Sequence, residues 1–298
     1  MFNEAILIDG RYHASRLLEK LKLDINHQKK QNNLVAKLAI ILVGSNPASM
    51  VYVKNKIATA EKVGIEIIYR NFDDSISENL LLKEIERMNK DPSVSGIIIQ
   101  LPLPPQISKE KLISTIDPAK DVDGFHPLNV GLLYSGYGNG FIPCTARGCL
   151  DLIKFTQTDS QTDLRGKTVA IIGRSNIVGR PLAALLIKEN ATVTLCHSKT
   201  EDLAFITNNS DVVVSAVGNP KFLTAEYFSK KSIVIDVGIT RIGIDNKYEL
   251  SGDVDFHSVK KKVSYITPVP GGVGPMTIAY LLTNSFEAML KQRKLTKI

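Results

Sequence analysis

The chain has 298 residues, 44% hydrophobic and 22% charged, which is long enough for two domains of ordinary size and apolar enough to exclude a disordered chain. Its net charge of +7 comes from scattered Lys and Arg, with small clusters at Lys260-Lys261-Lys262 and in the last eight residues; no nucleic-acid motif accompanies them, so the balance favours small anionic ligands. No apolar run approaches the ~18 residues of a membrane span, Met1 to Gly10 lacks a signal-peptide pattern, and Cys144, Cys149 and Cys196 form neither a CxxC nor an even framework, which suits a reducing cytoplasm.

Ala5 to Ile8 reads as a short strand, and Arg11 to Lys30 as an amphipathic helix. Leu38 to Val43 is apolar enough to be a buried strand. The helix after it has both ends marked: Asn46 suits the N-cap, Pro47 the first helical position and Gly64 the C′ position. Tyr52 and Lys56 stand four apart and share a face of it. Such pairs commonly form amphipathic surface whose stems cover apolar neighbours. An amine beside a phenol near the carboxyl end of a strand is also where α/β proteins place chemistry, and Lys56 is the candidate reactive group. Glu66 to Phe72 predicts a third strand. Ser75 and Glu78 form a capping box opening a helix through about Met88, and Val94 to Gln100 is a very apolar strand. Alternating helices and buried strands predict a parallel sheet covered on both faces.

Gln100 ends that strand, and Leu101-Pro102-Leu103-Pro104-Pro105 makes a rigid loop at its carboxyl end. The Gln100 amide either faces the crevice of Lys56 or merely caps the strand. After a short helix, Asp121 and Asp123 allow three readings. An EF-hand-like metal loop fails, because the ligand spacing does not continue and no Glu follows at the expected distance. A paired-carboxylate hydrolase has no supporting residues. The third reading is a carboxylate binding an amine-bearing heterocycle through two hydrogen bonds. His126, directly before Pro127, reads as structural. Gly136, Gly138 and Gly140 mark a flexible connection, Pro143-Cys144-Thr145 opens a helix through about Phe155, and Gln157 to Gly166 reads as a loop before a second domain.

Lys167 to Ile172 is a buried strand running into Gly173-Arg174-Ser175-Asn176-Ile177-Val178-Gly179, the strand–turn–helix start of a dinucleotide-binding unit. It departs from G-x-G-x-x-G: Ser175 and Val178 stand at the second and third glycine positions, with Gly179 one place later for close helix–strand packing. The next strand, Thr192 to Cys196, lacks the terminal carboxylate that holds an NAD ribose. Arg174, Ser198 and Lys199 offer donors for a 2′-phosphate instead, so NADP is the expected cofactor. Two more apolar strands, Asp211 to Gly218 and Ile233 to Ile239, carry small residues near their ends, as if a flat ligand lies across their carboxyl ends. Thr267 to Thr277 is a stiff Pro- and Gly-rich loop, and a last helix, about Met276 to Leu290, is expected to return to the first domain.

Five segments together resemble the bifunctional methylenetetrahydrofolate dehydrogenase/cyclohydrolase family. They are Tyr-Val-Lys-Asn-Lys at 52–56, Gln-Leu-Pro-Leu-Pro at 100–104, Lys-Asp-Val-Asp-Gly at 120–124, Gly-Arg-Ser-x-x-Val-Gly at 173–179 and Pro-Gly-Gly-Val-Gly-Pro-Met-Thr at 270–277. One departure is Ala146, where the family has proline. The resemblance implies two α/β domains with a cleft between them: a folate-binding catalytic domain of residues 1–143 and 275–298, and a Rossmann-like NADP-binding domain of 144–274. It implies NADP-dependent oxidation of 5,10-methylenetetrahydrofolate, hydrolysis to 10-formyltetrahydrofolate at the same site, and a homodimer. By matching positions, Lys56 is the catalytic lysine, Tyr52 packs the folate, Gln100 supports Lys56 and Asp123 holds the pterin. Leu101, Pro270, Gly271, Gly272, Val273 and Gly274 fall on the folate. Gly173, Arg174, Ser175, Ser198 and Ile239 fall on NADP. No metal is implied, and no nucleic-acid or membrane partner.

Three alternatives compete. A short-chain dehydrogenase uses Tyr-x-x-x-Lys, but its glycine loop lies upstream of that pair, and here Gly173 lies far downstream. A two-domain enzyme resembling shikimate dehydrogenase has no use for the Gln100 or Asp123 segments. A dinucleotide-sensing protein without catalysis has no need of Lys56, Gln100 and Asp123 together.

Overall fold

The computed structural model describes residues 4–156, 163–244 and 247–295. The chain divides into two compact units, one of Ser15–Ile142 with Ile278–Ile298 and one of Met1–Ala14 with Pro143–Thr277. In chain order it opens with β1 (Ile6–Leu7) and α1 (Gly10–Asn32). Then strands and helices alternate: β2 (Lys37–Val43), α2 (Pro47–Val63), β3 (Glu66–Phe72), α3 (Glu78–Lys90), β4 (Gly96–Ile99) and α4 (Lys109–Thr115). Two helices follow, α5 (Pro127–Ser135) and α6 (Cys144–Phe155). Alternation resumes with β5 (Thr168–Ile172), α7 (Gly179–Lys188), β6 (Thr192–Cys196), α8 (Leu203–Asn208), β7 (Val212–Ser215) and β8 (Ile233–Asp236). The chain closes with β9 (Thr240–Ile244), β10 (Lys247–Ser251), α9 (Phe256–Val259), β11 (Tyr265–Ile266) and α10 (Val273–Gln292).

In the unit built on Ser15–Ile142, β3, β2 and β4 pair in that order, all parallel. Ala39, Ile41 and Val43 of β2 and Ile97 and Ile99 of β4 bury one face against Leu81, Ile85 and Met88 of α3. These residues recur every second position along the strands and at helical spacing along α3, so one stripe from each element fills the core. The last helix joins this unit: Asn284 donates to the carbonyls of Val122 and Ile142, and Gln292 to those of Ser95 and Ala119.

The other unit holds a six-stranded parallel sheet in the order β1-β11-β8-β7-β5-β6, plus the antiparallel hairpin of β9 and β10. The sheet is Rossmann-like, with its glycine turn between β5 and α7. The first strand lies in this sheet, Ile6 opposite Tyr265 and Leu7 opposite Ile266. Its two exposed apolar side chains carry no pattern that distinguishes one sheet from another.

Two local expectations change. The cap of α3 is Ser77, which accepts from the Leu80 N–H, rather than Ser75. Ser75 donates its own N–H to Asp73, and Glu78 is drawn to Lys111 and the Ser108 N–H, so the expected box has no free partners. Of the loop expected at 157–166, residues 157–162 lie outside the described residues, as do 296–298 of the basic C-terminus.

Candidate active site

Helix α2 presents the central lysine. Asn46 accepts from the N–H groups of Ala48 and Ser49 at 3.0 and 3.1 Å, and Pro47 needs no partner at the first position. Gly64 ends the helix at φ +94°, a left-handed conformation that favours glycine. Lys56 is buried, 5% exposed, with its Nζ 4.7 Å from the centre of the Tyr52 ring. That Nζ donates to Gln100 Oε1 at 3.1 Å. The Gln100 amide is oriented from its other end, where Nε2 donates to the Leu101 carbonyl at 2.8 Å. Buried Ser49 donates to the same carbonyl at 3.5 Å, so α2 and the proline loop share one anchor. The Gln100 side chain faces Lys56, which decides between its two sequence readings.

The segment carrying Asp123 is held on both sides. Lys120 is buried, and its ammonium donates to the carbonyls of Met88, Asn89 and Asp91 at 3.0, 2.8 and 2.6 Å, at the C-terminal end of α3. Burial pushes the Lys120 pKa down, against the raising effect of Asp117 and Asp91. Asp121 turns to its own chain, accepting from the N–H groups of Phe125 and His126 and from Asn129 Nδ2. Burial still lifts its carboxyl above the usual range. Val122 lies so close to Gly96 that a side chain there would overlap it. His126 caps α5, accepting at Nδ1 from the Leu128 N–H, as its structural reading expects.

Half-buried Asp123 is left facing Lys56. Burial raises its pKa to about 6, helped by the Asp121 charge and opposed by Lys56. Among the described residues no three His, Cys, Asp or Glu side chains come together as a metal set. Tyr52, Lys56, Gln100, Leu101 and Asp123 thus converge within one unit, forming a buried amine with a neutral amide, an aromatic face and a carboxylate.

The other expected site residues lie in the unit with the six-stranded sheet. Gly173 has φ +118°, and any side chain there would overlap the Ala216 carbonyl; one at Gly179 would overlap the Gly173 carbonyl. Both glycines are therefore required by the chain's own packing, Gly173 against the loop after β7 and Gly179 where α7 starts close against the turn. Ser175, at the second glycine position, closes the turn by accepting from the Val178 N–H at 3.1 Å. Arg174, Ser198 and Lys199 are exposed at the carboxyl ends of β5 and β6, and Ile239 is 53% exposed after β8. In the last loop Pro270 is exposed, whereas Gly271, Gly272 and Val273 are buried, with Gly274 beside Ile239.

Sequence reasoning missed what holds that loop. Gly10 leaves no room between its backbone and the Gly272 carbonyl, and the Arg11 N–H donates to the Gly271 carbonyl at 3.1 Å. Asp9 caps α1 through the N–H groups of Arg11 and Tyr12. The signal was Asp9-Gly10 directly before a helical pattern, an N-cap followed by a residue with no side chain.

Comparison with known proteins agrees across the chain. Residues 8–123 match the family described as tetrahydrofolate dehydrogenase/cyclohydrolase, catalytic domain, and residues 143–293 match its NAD(P)-binding domain. The chain is 56% identical over 282 residues to the bifunctional protein FolD of Rickettsia africae, covering 95% of this chain and 96% of that one. It resembles the crystal structure of the bifunctional FolD dehydrogenase/cyclohydrolase from Campylobacter jejuni, with TM-score 0.91, 44% identity and coverage of 96% and 99%. The Trypanosoma brucei FolD structure, complexed with NADP cofactor and inhibitor, is similar at TM-score 0.93 and 36% identity, covering 99% and 100%.

Proposed function

The chain belongs to the tetrahydrofolate dehydrogenase/cyclohydrolase family, and from that premise we propose how its own residues divide the work. It is a bifunctional enzyme. It oxidises 5,10-methylenetetrahydrofolate to the 5,10-methenyl form with NADP and hydrolyses that product to 10-formyltetrahydrofolate.

The oxidation moves no proton at the reacting carbon, so what it asks of the chain is alignment. NADP, when bound, supplies the hydride acceptor. The Gly173 turn and Ser175 fit its phosphates, Arg174 and Ser198 its 2′-phosphate, and Ile239 its flat ring. Tyr52 and Leu101 line the folate, with Pro270, Gly271, Gly272, Val273 and Gly274 against it. Asp123 accepts the pterin N–H groups.

Hydrolysis does need proton handling, because water adds to the methenyl carbon and a C–N bond breaks. Lys56 takes and returns those protons. Gln100 holds the amine by a neutral oxygen, which orients it without the charge by which a carboxylate would favour the ammonium. That contact, Lys56 Nζ to Gln100 Oε1 within a buried site, is the observation carrying this reading.

Lys56→Gln tests it. The variant keeps reach and helix propensity but transfers no proton near neutral pH. Cyclohydrolase activity is expected to fall ~10²–10⁴-fold. Dehydrogenase activity, followed as NADPH formation, should fall much less, so that the methenyl product accumulates and is seen by its absorbance. Parallel loss of both activities in a folded variant with folate bound would assign Lys56 to the oxidation as well, and retained hydrolysis would remove it from the mechanism.

The same reading makes the enzyme a cytoplasmic homodimer supplying one-carbon units for purine synthesis. Cys144, Cys149 and Cys196 are buried and form no disulfide, which supports a reducing compartment. No helix among the described residues is long and apolar enough to cross a membrane.

A further inference from the structure

Two side-chain amides of α10 end on backbone carbonyls around the segment that carries Asp123. Asn284, 1% exposed, gives its Nδ2 to the Val122 carbonyl at 2.9 Å and to the Ile142 carbonyl at 3.2 Å. Further along the helix, Gln292 gives its Nε2 to the carbonyls of Ser95 at 2.8 Å and Ala119 at 3.3 Å. A leucine at 284 would fill the same space with better helix propensity, so what Asn284 contributes is its pair of N–H bonds. One of these falls on the peptide unit that joins Val122 to Asp123. That unit is planar, so holding its carbonyl also fixes the direction in which the chain enters Asp123.

The other flank of the segment runs beside β4. The Ile97 N–H donates to the Lys120 carbonyl at 2.8 Å, and Asp121 bridges Ile97 in parallel register. The Val122 side chain, fully buried, fills the space over Gly96. A Cβ at Gly96 would stand 2.5 Å from Val122 Cγ1 and 2.8 Å from Cγ2. The glycine thus lets the segment come down onto β4, and the valine sets how far.

We propose that Asn284 and Val122 are positioning residues for the folate: the amide orients the peptide entering Asp123, and the valine fixes the spacing of that peptide from β4, the strand that runs into Gln100. The inference rests on the assignment of Asp123 to the pterin. It gives the returning helix a part in substrate recognition from 162 residues away in the chain. A carboxylate that accepts two N–H groups at once is sensitive to small rotations of its backbone, because both bonds must stay aligned. The cofactor residues named above lie in the other unit, so the effect is confined to folate.

The test measures dissociation constants of the full-length enzyme for tetrahydrofolate and for NADP, at a temperature well below unfolding. Asn284→Leu should weaken tetrahydrofolate ~10-fold and leave NADP within ~2-fold. Val122→Ala should do the same, and adding Gly96→Ala, whose new methyl occupies the space the valine vacates, should bring tetrahydrofolate back to within ~3-fold of the unmodified enzyme. In an Asp123→Ala background, Val122→Ala should add no more than ~2-fold, because its effect passes through the missing carboxylate. A purely structural role would lower the melting temperature without separating the two ligands. Should Asn284→Leu fail to fold, Val122→Ala and its rescue by Gly96→Ala decide the matter. Unchanged tetrahydrofolate affinity in either folded variant, equal losses for both ligands, or a ~10-fold loss that persists without Asp123 overturns the proposal. If Asp123→Ala weakens tetrahydrofolate while Asn284→Leu and Val122→Ala do not, the positioning role alone is refuted; if Asp123→Ala leaves it unchanged, the pterin assignment fails and the positioning role falls with it.

Discussion

Asp123 answers to two opposing demands. The pterin recognition proposed for it needs its charge, while burial and the Asp121 charge push its pKa to about 6. Its raised value means that its contribution to folding is present below the ordinary carboxyl range and lost as pH rises through about 6. On the proposed role, folate binding should gain over the same interval, because the carboxylate that would accept the pterin N–H groups forms there. Asp123→Asn should thus raise the melting temperature of the ligand-free enzyme at pH 8 by about 2–4 °C, equivalent to ~1 kcal/mol in a domain of this size. It should weaken folate by ~2–3 kcal/mol and leave NADP nearly unchanged. A lower melting temperature, or equal losses for both ligands, would show that Asp123 braces the fold instead. The sequence excluded an EF-hand-like metal loop at this residue, and the pterin role proposed for it comes from the family resemblance. The two-sided clamp that aims it was not, since Lys120 reaches carbonyls about thirty residues earlier in the chain.

Helix α2 shows how an element sets a residue's chemistry. Its start, end and register were readable because Asn46, Pro47 and Gly64 each act within their own few residues. Asn46→Ala removes the acceptor for two N–H groups and should cost about 1 kcal/mol by denaturant titration. The loss falls on the turn bearing Ser49, which anchors the Leu101 carbonyl, so cyclohydrolase activity should drop more than stability alone predicts. Asn46→Asp, which keeps the acceptor, should restore both; failure to do so would separate the cap from the site. The start of α3 was less legible for the complementary reason. Ser75 and Glu78 have the spacing of a capping box, but Asp73 and Lys111 compete for them, and Lys111 arrives from a different helix. Spacing identifies a possible bond, and tertiary neighbours decide whether it forms.

At the scale of the molecule, the net charge of +7 acts on ligands that are all anionic. Association of NADP should slow by roughly 10-fold as ionic strength rises from about 10 to 200 mM, because the screening length shrinks from ~30 Å to below 10 Å. A stopped-flow rate indifferent to salt would mean that local contacts alone steer it. The alternating pattern gave the class of fold and both parallel sheets, since buried strands are written in consecutive apolar residues. It could not assign β1 to a sheet, because that depends on which distant segments meet. The partnership of β1 with β11 bears on how the protein is born. β1 is translated long before β11, the strand that offers its hydrogen-bonding edge. Each unit is likewise assembled from two stretches of sequence. A growing chain therefore holds β1, with Ile6 and Leu7, unmatched until β11 has been made, and neither unit can close until its second stretch of sequence is present.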